Sequence, residues 1–467
     1  MKIISKTFKI LPLLLFVFAF QACSSDDDND SITLPQQLDI VETAIATPEL
    51  SSLVAALQAA DGDLVSVLKG NGPFTVLAPT NDAFATFLSS NGFAQLSDVP
   101  TDVLAQVLLN HVISANITST TLAGLGSGYT RTNADGAGNE NLSIYYDTSN
   151  GVRFNNSSSV IDGGADVSAS NGTVHIVDAV IGLPDIVDHA LNNDNFTSLT
   201  GALSSENLVT TLQGAGPFTV FAPTNDAFAD FTNPNSNGLS DILLNHVLIG
   251  TTALAEGLST SYVSTGAANA DGDNLSLYVN VGDDGSVMLN GSSMVVVTDV
   301  IGTNGVIHVV DNVIDLPTIA TFATTNAALG NLVAALQLAD TGSPTVPWIN
   351  TVSDVAAGPF TVFAPTNDAF ADLLLELDPS GNTALGDLDP ATVDAVLLVH
   401  VVSGNVRAAD LPSLMGTVPT LGGDLSLDVN TLTLTDALMR EIGIIAALTD
   451  IQATNGVVHV VDRVIRP

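Results

Sequence analysis

Gly72-Pro-Phe-Thr-Val-Leu-Ala-Pro-Thr-Asn-Asp-Ala-Phe84 decides the architecture, because the chain writes it three times. It returns at 216–228 and 358–370 with one change, Leu77 giving way to Phe221 and Phe363. A second segment, Asn171-Gly-Thr-Val-His-Ile-Val-Asp-Ala-Val-Ile181, has counterparts at 304–314 and 455–465. Between each pair stands Leu109-Asn-His-Val112, Leu244-Asn-His-Val247 or Leu398-Val-His-Val401. Leu34-Pro35, Leu183-Pro184 and Leu316-Pro317 mark the starts, so the copies run over 35–183, 184–316 and 317–467. Repeats this long are whole domains and not solenoid units. Each is large enough to bury its own core. The linkers are very short, which predicts a semi-rigid rod.

Outward from the quoted stretch, the elements read alike in each copy. Leu50, Leu53, Val54 and Leu57 share one helical face, and Leu64, Val65 and Leu68 begin a second short helix. Gly72-Pro73 breaks it, Phe74 to Ala78 is a strand, and Thr80 or Asn81 caps the next helix. Asp82 sits in that helix's first turn, where the macrodipole favours an acid. Val103 to Val112 is amphipathic, which points His111 inward. Strands follow at 141–146, 152–155 and 174–181, separated by Asp-Gly and Asn-Gly turns. Helices first and strands after argue an α+β domain with antiparallel or mixed sheets. The middle copy places His246 only 18 residues after Phe228, so it has lost a turn and part of a helix. The third copy alone inserts 342–350, with Pro344, Pro347 and the sole tryptophan, Trp348.

These three motifs, in order and in triplicate, resemble the fasciclin domain family. The resemblance covers nearly the whole chain after residue 34. It implies a β-sheet wedge with helices packed against it, and an extracellular adhesion role toward matrix proteins, polysaccharides or other surface partners. It also implies that the motif positions Thr80, Asn81, Asp82, His111 and His175 belong to the fold. So do Thr224, Asn225, Asp226, His246 and His308, and Thr366, Asn367, Asp368, His400 and His459. In some animal members the segment at the mid-domain histidine is proposed to bind receptors. Asn110, Asn245 and Val399 stand here where those members carry Tyr.

The start of the chain reads as an address. Lys2, Lys6 and Lys9 precede a short apolar run from Leu11 to Phe20, so 1–22 is expected to be a signal peptide. Gln21-Ala22-Cys23 resembles a bacterial lipobox, with Cys23 as the lipidation site and the only cysteine. Residues 23–34, with Asp26-Asp27-Asp28, form an acidic tether and resemble an export tag for the outer face of the outer membrane. Cleavage without lipidation and a plain spacer are the simpler alternatives.

From Cys23 onward there are 7 basic and 49 acidic residues, a net charge of −42. Such a surface repels nucleic acid. It attracts calcium weakly and without a dedicated site. The charge reads first as a solubility adaptation to salty surroundings, with a dedicated calcium function as the alternative. Two histidines per copy near acids invite a metal or acid–base reading, but their apolar surroundings favour hydrogen-bonded core residues. The acidic turns 268–274 and 282–285 lack the twelve-residue calcium pattern. Tyr129, Tyr145, Tyr146, Tyr262 and Trp348 flank turns or sit in the insertion, and are the aromatics expected to stack on sugars. Neither a serine nucleophile elbow, nor a phosphate loop, nor His-Glu-x-x-His occurs. The sequence therefore points to a lipid-anchored, cell-surface binding protein without cofactor and without catalysis. Its partner is an extracellular polysaccharide or a surface or matrix protein. The alternative is a structural spacer or accessory lipoprotein that docks another envelope protein.

Overall fold

In each copy the quoted stretch forms a strand and then a helix: Phe74–Pro79 with Asn81–Ser90, Phe218–Pro223 with Asn225–Asp230, and Phe360–Pro365 with Asn367–Leu377. The computed structural model describes residues 37–467. The expected signal peptide, the expected lipidation site Cys23 and the expected acidic tether lie outside the described residues. Leu38–Pro467 form one compact unit.

The histidine-bearing segment of each copy closes its domain. Gly172–Val177 lies parallel to Phe74–Pro79, with Phe74 opposite Gly172. Gly305–Val310 and Gly456–Val461 repeat that register against Phe218–Pro223 and Phe360–Pro365. This pairing explains the glycines of both motifs. A Cβ on Gly72 would sit 2.2 Å from the Asn171 carbonyl oxygen, and one on Gly172 would sit 2.0 Å from that of Phe74. The two segments approach too closely for any side chain at either place.

In the first copy this pair sits in one four-stranded sheet, between Val112–Ile113 and Val167–Ala169. A second four-stranded sheet runs Ser127–Asp135, Asn141–Asp147, Arg153–Phe154 and Ser158–Ser159. In the second copy the long strand Ser293–Ile301 belongs to both halves and joins them into seven strands. In the third, Val401–Ser403 pairs with Thr417–Thr420 and makes eight. All other pairings are antiparallel, so the fold is α+β with mixed sheets.

Each copy has a helix-side core and a second core between its sheet layers. In the first, Leu50, Leu53, Leu57, Val76 and Phe84 form one, and Leu77, Ile144, Phe154 and Val177 the other. The middle copy is shortened as its spacing implies. Its motif helix has 6 residues against 10 and 11, and its next helix, Leu239–Leu244, has 6 against 9 and 9.

Two expectations need correcting. The helix expected over 103–112 is Thr101–Leu109, and Val103 faces solvent on it. His111 therefore stands just past the helix end and not on its face. Trp348 in the third copy's insertion, expected to be available to a sugar, is not exposed. Trp348–Ser353 is a helix that drives Trp348 into the core, and the Asp340 carboxylate accepts from the backbone N–H of Trp348 (2.8 Å) and Ile349 (2.9 Å).

Candidate functional site

The motif threonines and asparagines divide their work. The hydroxyls of Thr80, Thr224 and Thr366 accept from the N–H three residues on, at 3.2 Å each, and cap the motif helix. The asparagines do not cap; they bridge. The Asn81 side chain accepts from Ser52 N–H (2.8 Å) and donates to the Pro48 carbonyl (3.1 Å). Asn225 does the same with Ser198 and Asp194, and Asn367 with Asn331 and Ala327. Each asparagine ties its motif helix to the turn that opens the copy. Asp82, Asp226 and Asp368 are exposed in the first helical turn.

The mid-domain histidines are buried with both ring nitrogens in use. His111 donates from Nδ1 to the Val107 carbonyl (2.7 Å) and accepts at Nε2 from Ile181 N–H (2.9 Å). His246 pairs likewise with Ile242 (2.8 Å) and Ile314 (2.9 Å), and His400 with Val396 (2.8 Å) and Ile465 (3.0 Å). A backbone N–H pointing at Nε2 leaves the proton on Nδ1, so the tautomer follows from the partners. Burial drives all three pKa values down to about 4, against the opposing pull of the carbonyl, and the rings are neutral.

The strand histidines carry the other tautomer. His175, His308 and His459 donate from Nε2 to the carbonyls of Ile117, Ala253 and Val406, at 2.8–2.9 Å. Their Nδ1 atoms accept from Asp166, Asp299 and Asp450 N–H at 3.3 Å. With both nitrogens engaged in every motif histidine, none presents a lone pair to a metal or a substrate.

Another set of side chains completes this network. Asn171 accepts from Ile40 N–H (3.0 Å) and donates to the carbonyls of Leu68 (2.7 Å) and Gly70 (2.8 Å). Asn304 and Asn455 repeat this with Ile186, Leu212 and Gly214, and with Ile319, Val352 and Asp354. Their invariance across the copies was the available signal. Asn110 and Asn245 accept from Thr132 and Thr265 and donate to the carbonyls of Gly182 and Asp315. In the third copy Val399 replaces that bridge by packing against Gly422.

The aromatics expected to stack on sugars are otherwise engaged. Trp348 is buried and donates from Nε1 to Asp394 Oδ1 (2.7 Å). Tyr145 and Tyr146 are buried. Tyr129 and Tyr262 hold the copies together. Tyr129 lies 5.2 Å from Tyr145 and edge-on to His189 at 5.8 Å, and its hydroxyl accepts from the Asn193 side chain (3.0 Å). Tyr262 repeats this at the second junction, 4.8 Å from Tyr278 and 5.4 Å from Phe322, with Asn326 as donor (3.0 Å). Beside them Ser143 Oγ accepts from Ile301 N–H (2.9 Å), and Ser276 Oγ from Gln452 N–H (3.0 Å). The acidic turn at 268–274 also serves a junction. Asp273 pairs with Arg407 at 3.0 Å, and Asn405 donates to Asp271 and Asp273.

The seventh histidine, His189, was outside the motifs. It is buried, donates from Nε2 to the Ile301 carbonyl (2.9 Å), and is driven to a pKa of about 4 by burial. An open groove of about 660 Å³ in the first copy is lined by Leu64, Val67, Val103 and Leu109 together with Asp61 and Asp102.

The fasciclin domain family model matches residues 48–184, 194–317 and 330–467. The chain belongs to the fasciclin domain family. Among its relatives is the transforming growth factor-beta-induced protein ig-h3 of Sus scrofa, 29% identical over 53% of this chain and 35% of that protein. Periostin of Homo sapiens is 27% identical over 67% of this chain and 35% of that protein. The chain thus spans about a third of the length of these two relatives. Protein sll1483 of Synechocystis sp. is 39% identical over 30% of this chain and 72% of that protein. A solved fasciclin domain pair from the insect cell adhesion molecule fasciclin I is 19% identical, with a TM-score of 0.37 over 57% of this chain and 97% of that chain. No single helix among the described residues is long and apolar enough to cross a membrane.

Proposed function

We propose that this chain is a cell-surface adhesion or binding lipoprotein that holds an extracellular polymer through weak contacts repeated over three fasciclin domains. The observation that carries the reading is the commitment of every motif histidine, threonine and asparagine to the fold, in a family implying adhesion. What is left for recognition is outer surface. Burial of Trp348 and engagement of the tyrosines remove the platforms a sugar ring would stack on. That favours a surface or matrix-type protein over a polysaccharide. The groove of the first domain is the contact surface we assign, with apolar residues to receive apolar side chains and two carboxylates to receive basic ones.

In this reading residues 1–22 are removed, Cys23 carries the lipid, 23–34 is the tether, and the domains run 35–183, 184–316 and 317–467. The Cys23→Ser variant is expected to leave the membrane fraction; complete retention there would end the lipoprotein reading. A binding screen of residues 24–467 against immobilised matrix proteins and glycans tests recognition. Expected is retention on a protein surface that Val103→Glu weakens without lowering the melting temperature. Retention on glycans alone would reverse the choice of partner. Silence in both arms would favour the spacer reading.

A further inference from the structure

The first two domains offer the same face to their successor, and the third offers a different one. The strands at its centre, Asn141–Asp147 and Asn274–Val281, are buried on both sides over Leu142–Tyr146 and Leu275–Val279. The third-domain counterpart, Gly423–Asp428, alternates exposed and buried residues. Leu142-Ser143-Ile144-Tyr145, Leu275-Ser276-Leu277-Tyr278 and Leu425-Ser426-Leu427-Asp428 align on their buried apolar residues. Ser143 and Ser276, the buried acceptors of the junctions, correspond to exposed Ser426. Tyr145 and Tyr278 correspond to exposed Asp428. Tyr129 and Tyr262 pair across from these tyrosines, two residues ahead of Arg131 and Ser264. In the third domain that place belongs to Met415, two residues ahead of Thr417 and 92% exposed.

The receiving side shows the complementary change. His189 and Phe322 lie at the same place in the opening helices Ile186–Leu191 and Ile319–Thr325. In the first domain's Ile40–Ala46 that place holds Thr43. Asn193 and Asn326, which reach the tyrosine hydroxyls, correspond to Thr47. Ile301 and Gln452, buried at the junctions, correspond to exposed Ser168.

We propose that the tyrosine-paired face is an assembly surface specific for a following fasciclin domain, and that the first domain's receiving side and the third domain's offering side lack it. A second copy of the chain then does not add head to tail. A head-to-tail contact repeats without closing and grows open filaments. Arrays of repeats stay soluble by giving their outermost units a polar outer face. Replacing two tyrosines by Met415 and Asp428 removes the large apolar area of the contact and sets a charge where it would be desolvated. The net charge of −42 adds repulsion between chains.

The test uses the three-domain chain, residues 24–467. By sedimentation velocity it is expected to stay monomeric at every concentration tried. Oligomers that Thr43→Asp abolishes would overturn the proposal. In Tyr262→Met/Tyr278→Asp the second domain wears the third domain's surface. Limited proteolysis of this variant is expected to cut the stretch 312–318 about tenfold faster than wild type, because the domains no longer hold each other. Tyr262→Phe, which keeps the ring, should stay near the wild-type rate. Mapped cuts separate the outcomes: faster cleavage confined to 312–318 supports the proposal, and an unchanged rate overturns it. Cuts spread inside the second domain would make these tyrosines part of that domain's own core, and would overturn it equally.

Discussion

His246 donates to one backbone group and accepts from another, so an alanine there strands the Ile242 carbonyl and the Ile314 N–H and leaves a hole between them. The His246→Ala variant is expected to lose about 1–3 kcal/mol of stability in denaturant melts, with binding falling only as far as folding does. Unchanged stability with lost binding would contradict the structural role. His111, His189, His246 and His400 also set an acid limit. Their folded pKa values are about 4, against an ordinary 6.5. The unfolded chain therefore binds more protons than the native one between these values. Their contribution is complete above about pH 6.5, declines as pH falls toward 4, and changes no further below that. Melting temperature against pH should show that decline, and its upper part should be shallower in His246→Gln. Replacing Trp348 by Phe leaves Asp394 Oδ1 without its indole donor in a buried place, and should cost about 1–3 kcal/mol.

Among elements, the motif strand and its parallel partner were legible because each is an apolar run bounded by Gly, Pro and Asn. The helix around His111 ended earlier than its apolar spacing suggested. Periodicity reports a buried face, but the chain leaves the helix at Asn110 and keeps burying residues as the strand Val112–Ile113. The insertion at 342–350 places Pro344 and Pro347 just ahead of Trp348, and its own residues do not announce a buried tryptophan. Of the aspartates that anchor it, Asp340 is near but Asp394 is distant in sequence, and no local pattern reveals that second partner. The tyrosines were misassigned for a related reason. Next to a polar turn, a tyrosine reads as exposed until another domain is laid over it. The acidic turn at 268–274, read as lacking the calcium pattern, has a partner no local sequence shows, since Asp273 faces Arg407 of the next domain.

At the scale of the whole chain, the repeats disclosed three domains, and the charge predicts a response to salt. With −42 from Cys23 onward, thermal stability should rise between 0.01 and 0.1 M sodium chloride, as the Debye length contracts from about 30 Å to about 10 Å. Calcium should act in the same way. A saturable stoichiometric isotherm in calorimetry would contradict this, and would make a dedicated site of the acidic turns.

The parallel pairing that ends each domain also sets a timetable for its making. Phe74–Pro79 cannot find its neighbour until Gly172–Val177 has emerged, so nearly all of the first domain must be synthesised before its central sheet exists. Long-range pairing of this kind is slow, because the loop must close before any contact rewards it. The junctions lengthen the wait. Ser143 receives the Ile301 N–H, and Tyr129 meets His189, so the first domain's face over Ser127–Asp135 and Asn141–Asp147 stays partly uncovered until the second is almost finished. The third domain covers the second by the same rule, with Gln452 arriving close to the end of the chain. Maturation thus proceeds from the amino terminus in two relays, one per junction, each completed by the last strands of the following domain. A nascent chain stalled in the third domain would leave Tyr262 and Tyr278 open to whatever apolar surface lies nearby.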